Sequence, residues 1–138
     1  MIRLVLVDDH PDLVALLRAG LGPNFEVVGD APDGRSGVEV VRAERPDVVV
    51  MDLSMPDMDG LEAIRRLRLG GPQRVVVFSG FQSEALEEAS LRHGASAYVE
   101  KGTPLARLRD VLRSAVTSPV PPVTDPASLT KQRVQDLI

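Results

Sequence analysis

The feature that most constrains the fold is a set of short apolar runs rich in β-branched residues and separated by longer amphipathic stretches. Four runs stand out, at 2–7, 48–51, 75–78 and 97–99, and a weaker fifth lies at 25–29. Each of the four ends in polar residues or glycine, which is typical of strands buried on both faces. The chain therefore carries five candidate strands.

The stretches between these runs show apolar residues at helical spacing, so strands and helices alternate along the chain. In the first helix the apolar set is Leu13, Leu16, Leu17 and Leu21. Pro11 suits the first turn of that helix, and Pro104 suits the first turn of a fifth helix over 104–117, with Thr103 as its cap. Five βα units in succession predict an α/β fold, a parallel five-stranded sheet covered by helices on both faces.

Composition excludes several classes of protein. With 138 residues, 43% of them hydrophobic and 26% charged, the chain fits one globular domain and not a disordered segment. No apolar stretch approaches the roughly 18 residues of a membrane span, and no signal peptide is present, so a cytoplasmic location is expected. The absence of cysteine excludes thiolate chemistry, and a net charge of -4 gives no basic footprint for nucleic acid.

Chemically active side chains follow four of the predicted strands. Asp8 and Asp9 end the first strand, Asp52 ends the third, Ser79 ends the fourth, and Lys101 lies just past the fifth. Since carboxyl ends of parallel strands meet at one edge of a sheet, these groups are expected to gather there. Three carboxylates against one ammonium favour a divalent cation, and Mg2+ suits such a partial set of oxygen ligands. The third carboxylate can then accept a phosphoryl group.

Taken singly, each of these groups has a plain structural interpretation. An acidic pair before a helix usually caps it, and an aspartate after a strand commonly starts a turn. A lone serine or lysine in a loop indicates little, and His10 is expected to be an exposed residue near the helix cap. Only the shared position at the ends of separate strands favours a functional site.

Four segments together resemble the receiver domain of response regulators, a CheY-like domain. They are LVDDHPD at 6–12, VVVMDLSMPDMDG at 48–60, VVVFSG at 75–80 and GASAYVEKG at 94–102. The resemblance covers residues 1–117 and is strongest to the subfamily that ends in a LuxR/NarL-type helix-turn-helix. It implies a flavodoxin-like sheet with strand order 2-1-3-4-5.

The resemblance also implies roles for particular residues. Asp52 would be the phosphoacceptor for a sensor histidine kinase. Mg2+ would be held by Asp8, Asp9, Asp52 and the backbone carbonyl of Ser54. Pro56 and Gly60 match the family's loop before the third helix, where they would shape the backbone.

Two further side chains would contact the phosphoryl oxygens, namely Ser79 and Lys101. Together with Ser79, Tyr98 would act as the switch; the alternative for Tyr98 is simple packing with its hydroxyl in water. The expected protein is not an independent enzyme but a phosphoacceptor that promotes its own Mg2+-dependent phosphorylation and dephosphorylation. Phosphorylation is expected to favour a homodimer. Gly102 and Phe81 depart from the usual family pattern.

The C-terminal part of the chain differs in composition from the rest. Residues 1–117 are predicted to form the receiver domain, and 118–127 a semi-rigid linker rich in proline. Residues 128–138 are expected to begin a truncated output domain. DNA would then be bound only through that missing domain, which would regulate transcription.

Three other functions are alternatives to a phosphorylation switch. A haloacid-dehalogenase-like phosphatase shares the aspartate, Mg2+ and lysine, but it needs a second aspartate where this chain has Ser54. A pseudo-receiver that only binds partners would have a broken acidic site. A dinucleotide-binding module would carry G-x-G-x-x-G after the first strand, and this chain does not.

Overall fold

The computed structural model describes residues 1–55 and 58–124, which form five successive βα units. The strands are β1 Ile2–Val7, β2 Phe25–Ala31, β3 Val48–Met51, β4 Val75–Ser79 and β5 Ala97–Glu100. The helices are α1 Pro11–Gly20, α2 Gly34–Glu44, α3 Gly60–Leu69, α4 Glu84–Arg92 and α5 Leu105–Thr117. Of the sequence predictions, those for Pro56 and for residues 128–138 lie outside the described residues.

The sheet is parallel throughout, and its strand order is β2-β1-β3-β4-β5. The predicted flavodoxin-like fold is therefore confirmed. In the register of the central strands, Val7 lies beside Met51 of β3, and Met51 lies beside Val77 of β4. The polar residues that follow these strands consequently reach the same edge of the sheet.

Two apolar layers hold the sheet between its helices. On one face, strand residues such as Val7 and Met51 pack with Ile64 of α3. On the other face, Leu6 and its neighbours pack with Leu108 of α5. Every residue of β3 and β4 is buried, which explains why these strands are continuous apolar runs without alternation.

Three helices begin with a side-chain cap. The side chains of Asp33, Asp59 and Ser83 accept a hydrogen bond from the backbone N–H three residues further on. Each such bond satisfies one of the N–H groups that lack a partner at a helix start. The caps fix where α2, α3 and α4 leave the carboxyl edge of the sheet.

Three local predictions were wrong or incomplete. Leu16 is 54% exposed because it lies outside the buried stripe of α1. Thr103 does not cap α5, and Pro104 is the N-cap instead of a first-turn residue, since its ψ of 141° is still extended. Strand β2 continues to Ala31, beyond the predicted 25–29, because its last residues pair with β1 as far as Val7. Pro11 does begin α1, as predicted.

No helix among the described residues is long and apolar enough to cross a membrane.

Candidate acidic site at the carboxyl edge of the sheet

Backbone hydrogen bonds continue the sheet by one residue and fix the positions of the functional side chains. The Asp8 N–H donates to the Ala31 carbonyl at 3.0 Å, and the Asp52 N–H donates to the Val7 carbonyl at 2.9 Å. The Lys101 N–H likewise donates to the Ser79 carbonyl at 2.7 Å. Backbone held in this way places side chains more precisely than a free loop does.

The structure brings the predicted carboxylates and the lysine together. Lys101 Nζ lies 2.8 Å from Asp8 Oδ2 and 3.5 Å from Asp52 Oδ1. Asp8, Asp9, His10 and Asp52 each offer one ligand atom, and these four atoms lie within 4.8 Å of one another. The carboxylates and Lys101 thus lie at one edge of the sheet, as the sequence predicts.

Asp52 is the most deeply placed carboxylate of the cluster, with only 3% of its surface exposed. Burial raises the pKa of Asp52, and the neighbouring Asp8 charge raises it further, although Lys101 and the Ser54 N–H act in the opposite direction. Its Oδ2 is buried and has no hydrogen-bond partner among residues 1–55 and 58–124. A buried carboxylate oxygen without a partner is costly, so this atom indicates a place for a ligand.

The residues present fit a magnesium ion. The cluster offers carboxylate oxygens, which are the ligands that Mg2+ prefers, and its negative charge exceeds what Lys101 alone can balance. Asp52 Oδ2 has no hydrogen-bond donor among the described residues, so this oxygen is available to bind a cation. Ser54 is exposed and its N–H lies 3.4 Å from Asp52 Oδ1, but the role of its carbonyl stays a prediction.

His10 is the residue that sequence reasoning missed. Its side chain is 65% exposed, as expected, yet its Nδ1 lies 2.9 Å from Asp8 Oδ1 and 3.1 Å from Asp9 Oδ1. The hydrogen bond with Asp8, followed by the Asp9 charge, raises the pKa of His10. The adjacent acidic pair in the sequence was the available signal, because a histidine directly after two aspartates can fold back onto them.

Ser79 and Tyr98 are joined through a single residue of the loop after β4. The Phe81 N–H donates to Ser79 Oγ at 3.2 Å, and the Tyr98 hydroxyl donates to the Phe81 carbonyl at 2.6 Å. Ser79 is fully buried, whereas the Phe81 side chain is 51% exposed. The Tyr98 hydroxyl is therefore held by the loop, in an exposed hydrogen bond, and its role as a switch residue stays a prediction.

The fold and this cluster define the class of protein domain, which is a flavodoxin-like α/β domain with an acidic site where the central strands end. The family model described as the response regulator receiver domain matches residues 4–113. The chain belongs to the response regulator receiver domain family. The resemblance inferred from the motifs is thereby confirmed.

Two sequence relatives agree with this assignment. The chain is 36% identical to the transcriptional regulatory protein LiaR of Bacillus subtilis, over 83% of this chain and 56% of that protein. It is 38% identical to the nitrate/nitrite response regulator NarL of Escherichia coli, over 71% of this chain and 47% of that protein. The chain thus spans about half the length of these relatives.

A solved structure of a LuxR-family two-component response regulator from Aurantimonas shows the same fold. Its TM-score is 0.81 at 32% identity, covering 97% of this chain and 99% of that one. Receiver domains of two-component systems are phosphoacceptor switches that take their phosphoryl group from histidine kinases and bind Mg2+ at an acidic pocket. This chain is a receiver domain, and its relatives include regulators of the NarL and LuxR families.

Proposed function

We propose that Asp52 is the residue that accepts the phosphoryl group from a sensor histidine kinase. The observation that carries this assignment is its buried carboxylate, whose Oδ2 lacks a partner among the described residues while its Oδ1 lies 3.5 Å from Lys101 Nζ. One oxygen is thus available to react, and the cation needed to balance the incoming charge is already beside it.

In the transfer step, one oxygen of the Asp52 carboxylate forms a bond to phosphorus as the phosphorus–nitrogen bond of a phosphohistidine breaks. The bonding electrons return to the imidazole nitrogen of the kinase, and the product on this chain is an acyl phosphate. Charge spreads over the three non-bridging oxygens during such transfers, so the protein contributes chiefly by positioning and by neutralising charge. The Lys101 ammonium and the Ser79 hydroxyl are assigned to these oxygens.

Asp8, Asp9, Asp52 and the Ser54 carbonyl are assigned to Mg2+. When bound, the ion supplies positive charge that neutralises the phosphoryl oxygens. Lys101 Nζ is nearest to Asp8, at 2.8 Å. We expect Lys101 to exchange part of that contact for the phosphoryl group, since Asp52 is its other neighbour. The same groups would promote hydrolysis of the acyl phosphate by water, which makes the domain a self-resetting switch and not an independent enzyme.

The switch is assigned to Ser79 and Tyr98, acting through Phe81. If Ser79 turns to hydrogen-bond a phosphoryl oxygen, its bond from the Phe81 N–H is strained or lost. The Phe81 carbonyl also accepts a hydrogen bond from the Tyr98 hydroxyl, so a movement of Ser79 that displaces Phe81 would also displace Tyr98. The surface made by α4, β5 and α5 would change as a result and favour a homodimer.

The output is proposed from the relatives, several of which are transcriptional regulators by name. Residues 1–117 would be the receiver domain, 118–127 the linker, and 128–138 the start of a DNA-binding output domain. Transcription in the cytoplasm would then be the process under control, and DNA would be contacted only through that output domain.

The decisive experiment is mass spectrometry of the intact protein after incubation with a small phosphodonor and Mg2+. Wild type is expected to gain one phosphoryl group, and Asp52→Asn none. Asp9→Ala should keep the acceptor but greatly weaken both the Mg2+ dependence and the labelling, while the exposed Asp12→Ala serves as a matched control that labels normally. Labelling that persists in Asp52→Asn would place the acceptor elsewhere.

The switch is tested separately from the acceptor. Ser79→Ala should still be labelled to some extent, yet its self-association in sedimentation should no longer depend on phosphorylation. Tyr98→Ala should behave in the same way. A Ser79→Ala protein that associates on phosphorylation as wild type does would rule out the proposed coupling.

A further inference from the structure

The segment after α5 does not leave the domain directly but crosses to the end of α4. At its start, the Arg74 guanidinium donates two hydrogen bonds to the Ser118 carbonyl, from Nε at 3.2 Å and from Nη2 at 2.9 Å. At its other end, the Thr124 N–H donates to the Arg92 carbonyl at 2.8 Å. Residues 118–124 therefore form a strap with one fixed point before β4 and another at the last residue of α4.

Between its two fixed points the strap bridges a hollow instead of packing closely. This hollow has a volume of about 360 Å³, and it is bounded by the strap on one side and by β5 and α5 on the other. Pro119 and Pro122 are exposed, and Val120 and Val123 are only half-buried. A segment held by a few hydrogen bonds over a cavity has little buried apolar surface, so it can detach without disturbing the core.

The far end of α4 is attached to the proposed switch. Ser83 caps the helix directly after the loop that contains Phe81, and the Phe81 backbone bonds to both Ser79 and Tyr98. A helix of nine residues is a rigid rod about 13 Å long, so a displacement at its first turn also moves its last residue. The Arg92 carbonyl would thus move away from the Thr124 N–H, which is tied through the strap to Arg74.

We infer that residues 118–124 are a strap bound to the receiver in the resting state and released at Thr124 when α4 moves. This inference rests on the proposed phosphoacceptor function. Phosphorylation would then change how residues 118–124 are attached to the receiver domain. Because the chain continues from residue 124 toward the proposed output segment, this change would be passed on to that segment. The three prolines of the strap, Pro119, Pro121 and Pro122, keep it extended, so that release at one end changes the direction in which the chain leaves the domain.

The test is amide hydrogen exchange, resolved by residue, on the 138-residue chain. In the resting protein, the Thr124 amide should exchange at least about tenfold more slowly than in an unstructured peptide, because it is hydrogen-bonded. Arg74→Gln should speed exchange at Thr124, whereas Arg66→Gln removes the same charge from an ion pair on α3 and should not. A Thr124 amide that exchanges at the free-peptide rate in wild type overturns the strap.

The release is tested by adding beryllium fluoride and Mg2+ as a phosphoryl mimic, with Asp52→Asn as the unresponsive control. The expected result is faster exchange at Thr124 together with changed exchange at Phe81. A response at Phe81 with an unchanged Thr124 rate overturns the release and leaves the phosphoacceptor function standing. An unchanged rate at both amides counts against the release and against the proposed function together.

Discussion

Replacement of Asp52 by asparagine is expected to stabilise the metal-free protein, although it removes the proposed phosphoacceptor. Asparagine has nearly the shape of aspartate but carries no charge. The carboxylate of Asp52 is buried beside two other carboxylates, and one of its oxygens lacks a partner among the described residues. The free energy of unfolding should therefore rise when the charge is removed.

The magnitude follows from the distances in the cluster. Lys101 Nζ, 3.5 Å from Asp52 Oδ1, contributes an attraction of about 5 kcal/mol at an effective dielectric constant of about 20. Asp8, within 4.8 Å, contributes a repulsion of at least about 3.5 kcal/mol. Asp9 repels less than Asp8, because a third of its side chain is exposed. The two carboxylate repulsions at least offset the Lys101 attraction, which leaves the extra cost of burying a charged group in place of a neutral amide, worth about 2 kcal/mol.

Urea unfolding at pH 7 with a chelator present measures this difference. Asp52→Asn should be more stable than wild type by about 2 kcal/mol, or about 8 °C in melting temperature. The matched control is Asp110→Asn, which removes the same charge at an exposed site and should change stability by less than about 0.5 kcal/mol. Added Mg2+ should reverse the order, since an ion at 100 times its dissociation constant stabilises wild type by about 2.7 kcal/mol and binds the variant more weakly.

The pH dependence provides a second check on the same reasoning. Because the folded-state pKa of Asp52 is raised, the folded protein binds this proton at a higher pH than the unfolded chain does. The destabilisation is thus present at neutral pH and disappears as the pH falls through the raised pKa toward the unfolded value of about 3.9. The difference between variant and wild type should shrink accordingly. A variant less stable than wild type at pH 7 without metal would show that the Lys101 attraction outweighs burial, and would refute the argument.

Three further substitutions test parts of the same structure. Lys101→Met should lower the unfolding free energy in the absence of metal by about 2 kcal/mol, because two buried carboxylates lose their cation, and Mg2+ should restore most of it in urea titrations. Gly60→Ala should destabilise by more than about 2 kcal/mol in the same assay, since a Cβ there collides with the Asp52 carbonyl and with the backbone of Leu53. Tyr98→Phe should cost about 1 kcal/mol and speed hydrogen exchange in the loop around Phe81, and unchanged exchange there would deny the loop's dependence on that hydroxyl.

Most of the fold could be predicted because the pattern of apolar residues in its strands and helices is periodic and is repeated along the chain. Strands β3 and β4 are buried on both faces, so every position is apolar, and such runs are visible without any tertiary information. Their alternation with helices determines a parallel sheet, and the sheet determines that Asp8, Asp52 and Lys101 meet at one edge. The prediction of the cluster therefore required topology alone and no knowledge of side-chain contacts.

The predictions that failed depend on contacts between particular residues. Strand β2 extends to Ala31 because its pairing with β1 continues to that residue, and the residues at 25–29 alone do not predict how far the pairing extends. Pro104 caps α5 instead of entering it, a difference of one backbone dihedral angle. The bonds of His10 to Asp8 and Asp9 require the backbone to turn at the start of α1, which periodicity does not describe.

The electrostatic cost of the acidic site and its function have the same physical origin. The Asp52 carboxylate is held in place by the hydrogen bond from the Asp52 N–H to the Val7 carbonyl, and one of its buried oxygens has no partner among the described residues, so a cation that binds this oxygen gains a favourable free energy. A ligand can shift a conformational equilibrium only by its difference in affinity for the two states. In the proposed switch, the phosphoryl group favours the state in which Ser79 has moved to bond one of its oxygens, and that movement strains the bond that Ser79 accepts from the Phe81 N–H. In the proposed switch, the free energy of the bond between Ser79 and the phosphoryl group is what moves the loop to which α4 is attached.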